Sequence, residues 1–101
     1  STPVLSWFQS YFEPGTLTGG LNFWLKKKEF SADNSALVSE VKLFADQAET
    51  CSVVACMNPN YKYQAFWNGK VVPHSEICKG SLLISLPAKA GTGTLEIKRA
   101  N

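Results

Sequence analysis

Hydrophobic and polar residues alternate along much of this chain, and turn-forming residues break the alternation at short intervals. Leu21, Phe23 and Leu25 fall on one side of an extended ribbon, with Asn22, Trp24 and Lys26 on the other. That is the signature of a half-buried strand within Leu21 to Phe30. Leu82, Ile84 and Leu86 repeat the pattern, as do Leu95 and Ile97 between Thr94, Glu96 and Lys98. Cys51 to Met57 is a continuous apolar run, expected as a central strand buried on both faces. Val4 to Phe12 is rich in aromatics and reads as a further strand.

The sharpest local expectation is a hairpin. Tyr61 to Trp67 runs into Asn68-Gly69 and then Lys70 to Val72. Asn-Gly tolerates positive φ at both central positions, as a two-residue type I′ turn requires. Trp67 then pairs with Lys70, Phe66 with Val71 and Ala65 with Val72. Tyr61, Tyr63, Ala65, Trp67 and Val72 share one face, and Lys62, Gln64, Phe66 and Val71 the other.

Residues 35–49 admit two periods. A helix would align Leu37, Val41, Phe44 and Ala48 behind an N-cap at Asp33, Asn34 or Ser35. A strand would align Leu37, Val41, Leu43 and Ala45, with Ser39 as a polar exception. The β-branched and aromatic content of Val38 to Phe44 favours the strand. Glu13-Pro14-Gly15, Gly19-Gly20, Asn58-Pro59-Asn60, Lys79-Gly80 and Gly91-Thr92-Gly93 read as turns, and Val72 to Glu76 as a polar loop. The expected fold is all-β: a small antiparallel β-sandwich or jelly-roll-like domain of roughly seven or eight strands, with one short helix near residues 35–49 as the alternative.

Composition adds bounds. At 101 residues the chain has the length of one domain, and 45% hydrophobic with 18% charged residues is ordinary for a globular one. It begins Ser1-Thr2-Pro3 without methionine. We therefore expect residues 1–101 to be a single β domain, processed or excised from the C-terminal end of a longer protein. No apolar stretch approaches the ~20 residues of a membrane span, so no membrane insertion of this segment is expected. A net charge of +2 gives no reason to expect nucleic acid as a partner. The Lys26-Lys27-Lys28 run reads as a charged strand end that discourages edge pairing.

Chemistry is sparse. His74 is the one histidine, and no nucleophile, base and acid group together, so a non-enzyme without cofactor is expected. Cys51, Cys56 and Cys78 are three thiols. Cys51 and Cys56 would face opposite sides of one strand, which leaves Cys78 to either of them as the bridge to test. Together with His74 they form the only zinc candidate, with loose spacing.

Aromatic rings remain as the candidate working surface. Trp24 shares its face with polar neighbours and Trp7 faces either way, while Tyr61, Tyr63 and Trp67 form a row on the hairpin that is either an exposed platform or, as favoured by Lys62 and Gln64 on the opposite face, the core-facing side. Rings of this kind stack on sugars or anchor protein contacts. The expectation is a non-catalytic binding or assembly module, extracytoplasmic or surface-exposed. It would present an aromatic patch to a carbohydrate or a protein partner. A dimer through that patch is one form of it, and a projecting surface domain of a coat assembly is one setting.

The segment from Val53 to Ile97 resembles the extracytoplasmic β-domains at the C-terminal ends of some polytopic membrane glycosyltransferases. The likeness lies in Asn58-Pro59-Asn60-Tyr61, the aromatic strand ending in Trp67-Asn68-Gly69-Lys70, Gly80-Ser81-Leu82-Leu83-Ile84, Leu86-Pro87-Ala88 and Leu95-Glu96-Ile97. It covers less than half the chain, and Asn58-Pro59-Asn60 replaces the usual proline–glycine. The resemblance implies an accessory, non-catalytic module.

Overall fold

Among the described residues the chain forms nine strands: β1 (Thr16–Gly19), β2 (Phe23–Phe30), β3 (Leu37–Leu43), β4 (Cys51–Cys56), β5 (Lys62–Trp67), β6 (Lys70–Val72), β7 (His74–Cys78), β8 (Ser81–Leu86) and β9 (Gly91–Ala100). They come from a computed structural model that describes residues 13–19, 23–44, 46, 51–87 and 89–100. The strand expected over Val4 to Phe12, with Trp7, lies outside these residues. One antiparallel sheet has the order β1-β4-β8-β7 and the other β2-β3-β9-β5-β6. The two pack together as a small β-sandwich, without a helix among the described residues.

The core lies between the sheets. Val53, Ala55, Ile84 and Leu86 from one meet Leu37, Val41, Leu95 and Ile97 from the other. The hairpin has the expected register, with Ala65 opposite Val72, Phe66 opposite Val71 and Trp67 opposite Lys70. Asn68 and Gly69 take φ of 50° and 83°, as the turn demands.

Several expectations are corrected. The helical alternative near residues 35–49 gives way to β3 over residues 37–43, because Leu37, Ser39, Val41 and Leu43 are all buried while Val38 is exposed. Ser39 is polar there for a reason. Lys26 pairs with Glu40 and Glu29 with Val38, so Lys27 and Lys28 bulge out opposite Ser39. The buried Ser39 hydroxyl donates to the Lys26 carbonyl at 3.0 Å, satisfying both groups at the break in the ladder. The lysine run is thus a bulge inside edge strand β2 rather than a strand end. β4 is central in its sheet but exposes Ser52, so it is not buried on both faces. Gly91-Thr92-Gly93 belongs to β9, not to a turn, with Gly93 opposite Val41. His74 to Cys78 forms the edge strand β7, whose residues are all exposed. A strand exposed on both sides has no periodicity by which to be recognised.

The β2–β3 connection is tied down by polar side chains. The hydroxyls of Ser31 and Ser35 donate to Asp33 Oδ1 at 3.0 and 2.6 Å, and the Ser35 amide donates to it at 3.1 Å. Asn58 joins this loop to the next: its amide donates to the Asn34 carbonyl at 2.8 Å and its Nδ2 to the Asp33 carbonyl at 2.9 Å. The hydrogen bonds from Ser35 and Ser31 hold the Asp33 carboxyl below its ordinary pKa of 3.8. A pKa lower in the folded state contributes stability above the unfolded value and loses it as pH falls through the folded value. Acid unfolding should therefore steepen below about pH 4. Asp33→Asn should flatten that limb, and a variant whose acid limb superimposes on the wild type would show that the network contributes nothing.

Candidate functional site

The outer face of the five-stranded sheet carries the exposed aromatic surface. Trp24 on β2 stands opposite Lys42 on β3, and Phe44 lies just past the end of β3. Because residues alternate sides, the parity that buries Phe23 and Leu43 turns Trp24, Lys42 and Phe44 outward. Trp24 is 51% exposed and Phe44 54%. Their rings are nearly parallel, 12° between planes, with centroids 6.4 Å apart. Lys26 Nζ lies 4.2 Å from the Trp24 centroid and Lys42 Nζ 5.4 Å from that of Phe44. The antiparallel register puts Phe44 toward the start of β2 and Lys26 toward its end, so they flank the indole from opposite sides. Each ammonium over an exposed ring contributes about 0.5–1 kcal/mol, and the lysine stems cover apolar surface.

Beside this ridge the same face holds a hollow of about 360 Å³ at the β2 bulge. Val38 lines it, with Glu29, Glu40, Lys27, Asn68 and Thr94 around it. Val71, 60% exposed, extends the apolar surface across to β6. Phe66, half-buried, sits between Glu96 on β9 and Val71 on β6, with Lys98 Nζ 5.4 Å from its centroid.

Among the described residues the other ring candidates do not join Trp24. Tyr63 is 5% exposed, faces the core, and donates its hydroxyl to the Asn58 carbonyl at 2.6 Å. Trp67 is half-buried against the core and covers Gly93. Tyr61 sits at the start of the hairpin, with the Arg99 guanidinium 3.7 Å from its ring centroid. It borders a cleft of about 530 Å³ with Asn60, Lys62, Glu76 and Lys79. The row of Tyr61, Tyr63 and Trp67 is therefore mainly the inner side of its sheet. Its opposite face, with Lys62 and Gln64, is the solvated one. Phe44, Val38 and Val71 were not anticipated as parts of an exposed surface. Strand parity counted from Leu37 would have placed Val38 and Phe44 outward.

The thiols and His74 do not assemble. Cys51 and Cys56 occupy the two ends of β4, five positions or about 17 Å apart. Cys56 and Cys78 flank Ser81 from either side of β8, about 10 Å apart across two strand spacings. That exceeds the ~7 Å reach of a disulfide, and all three cysteines are free. His74 stands opposite Ile84 on β7. Among the described residues no group of three or more His, Cys, Asp or Glu is placed to hold a metal, and no helix is long and apolar enough to cross a membrane.

No protein-family model, curated protein or solved structure matches the chain.

Proposed function

We propose that the chain is a non-catalytic binding module that engages a protein surface through the outer face of its five-stranded sheet. The observation that carries this is the Trp24–Phe44 pair, two large rings more than half exposed, next to a hollow and bordered by charges of both signs. Aromatic anchors amid polar residues are the composition of protein-contact surfaces. A pyranose needs an open ring face, whereas Lys26 covers the Trp24 ring and Phe44 flanks it. An accessory domain of a membrane glycosyltransferase and a projecting domain of a coat assembly are both settings in which such a face would work.

Photo-crosslinking tests the reading. With benzoylphenylalanine at position 44, irradiation in an extract of the source should give discrete protein adducts that Trp24→Ala removes. The same probe at Ser52, exposed on the other sheet, should not give them. Equal adducts from both positions, or none from position 44, would overturn the proposal.

A carbohydrate reading rests on a different observation, the Tyr61 cleft. Its ring, amide, carboxylate and ammonium groups are of the types that hold sugar hydroxyls. Calorimetric titration with an oligosaccharide panel should be flat if the protein-contact reading holds. Heat that Tyr61→Ala abolishes would replace that reading.

A further inference from the structure

We infer that the partner of this face is a second copy of the chain, seated face to face on the five-stranded sheet about a two-fold axis. The inference rests on reading the face as a protein contact, and it names the occupant. In a two-fold interface each surface element must meet its complement on the same surface, so the face must carry both a projection and a recess. It does. The projection is the Trp24–Phe44 ridge with Lys26 and Lys42 beside it. The recess is the hollow at Val38 bordered by Glu29 and Glu40. Lys42 and Glu40 are two positions apart on β3, about 7 Å, so an axis lying across the strand between them sets Phe44 of each copy over Val38 of the other and carries each ridge onto the opposite recess.

Charge follows shape. The ridge brings two ammonium groups and the recess two carboxylates, with Lys27 as one opposing cation in the recess. Turned about the axis, Lys42 of one copy approaches Glu40 of the other, and the reverse. Size also fits. The molecule extends 38 × 32 × 22 Å. The thin direction matches two sheets stacked about 10 Å apart with their outward side chains. A side bounded by 38 × 32 Å leaves room for the ~800 Å² per partner of a standard interface. Edge pairing through this sheet is the weaker route: β2 is interrupted by its lysine bulge and β6 has three residues.

Sedimentation equilibrium of the purified chain from 1 µM to 1 mM, a range set by weak-to-moderate affinities, tests this together with the crosslinker at position 44. The expected result is a monomer–dimer equilibrium and an adduct of twice the chain mass. Trp24→Ala should weaken dimerisation at least tenfold. Lys42→Glu and Glu40→Lys should each weaken it, and the double swap should recover most of the loss. Circular dichroism of each variant separates misfolding from lost association. A strict monomer at 1 mM, or a dimer indifferent to Trp24→Ala and to both charge variants, would overturn the inference. If the purified chain gives no dimer but the extract still yields Trp24-dependent adducts from position 44, the protein-contact reading stands and self-association alone fails. If neither gives adducts, both fail.

Discussion

Gly93→Ala is expected to lower the thermal midpoint by roughly 10–20 °C, from overpacking of about 2–3 kcal/mol in a domain of this size. A Cβ on Gly93 would fall within the Trp67 indole, 2.7 Å from Cε2 and closer still to Cη2. The indole cannot simply lift away. Trp67 sits at the end of β5, paired with Leu95 on β9 and Lys70 on β6, and Asn68 just after it exchanges hydrogen bonds with Thr94 at 2.8 and 2.9 Å. Trp67→Leu frees the space, so Gly93→Ala should cost at least 1 kcal/mol less in that background, a coupling a double-mutant cycle reads directly. A Gly93→Ala midpoint within 2 °C of the wild type, a shift worth about 0.5 kcal/mol, would mean that the ring does not lie over the glycine.

Tyr63→Ala is expected to remove about 3–5 kcal/mol, the cost of emptying a buried aromatic site, from a total of ~5–15 kcal/mol. Tyr63→Phe keeps the ring but leaves the Asn58 carbonyl without its donor, a loss of about 0.5–1.5 kcal/mol. Trp24→Ala, at an exposed position, should stay within about 0.5 kcal/mol of the wild type. Denaturant titration of the three variants separates core from contact surface. Equal small losses at Tyr63 and Trp24 would place both rings in solvent and undo the assignment of faces.

Tyr63 also predicts an alkaline limb. Burial raises its hydroxyl pKa above 10.0, with the charge of Asp33 and the neighbouring Tyr61 adding and Arg99 opposing. A raised folded pKa gives stability that is complete below the unfolded value and is lost as pH rises through the folded one. Wild-type stability should thus fall above about pH 10, and Tyr63→Phe should lose that dependence.

The hairpin was legible to the residue because everything it depends on is local. An Asn-Gly turn favours a two-residue loop, and loop length sets register. The sandwich class was legible for a similar reason, since alternation between turns describes ribbons with one wet side. Gly93 was misread because a glycine between Thr92 and Thr94 resembles a turn. The strand needs glycine there only because an indole from residue 67 arrives over it, and nothing near residue 93 announces that arrival. β7 was missed because a strand exposed on both sides obeys no pattern. Ser39 looked like a flaw in the strand reading, and it is the group that satisfies a bulge thirteen residues earlier in the chain.

The chain by itself determined that ribbons would form, where the hairpin would turn and which residues would share a side, because adjacent side chains must point oppositely along an extended backbone. Only the tertiary structure decided which face of the aromatic hairpin met the other sheet, and that Trp24 and Phe44 from distant segments came together. Period two sorts residues into two sets and names the interior where one set is apolar and the other polar, but both sides of the hairpin carry rings. That choice belongs to packing between segments far apart in the chain, and so does the surface on which the proposed function stands.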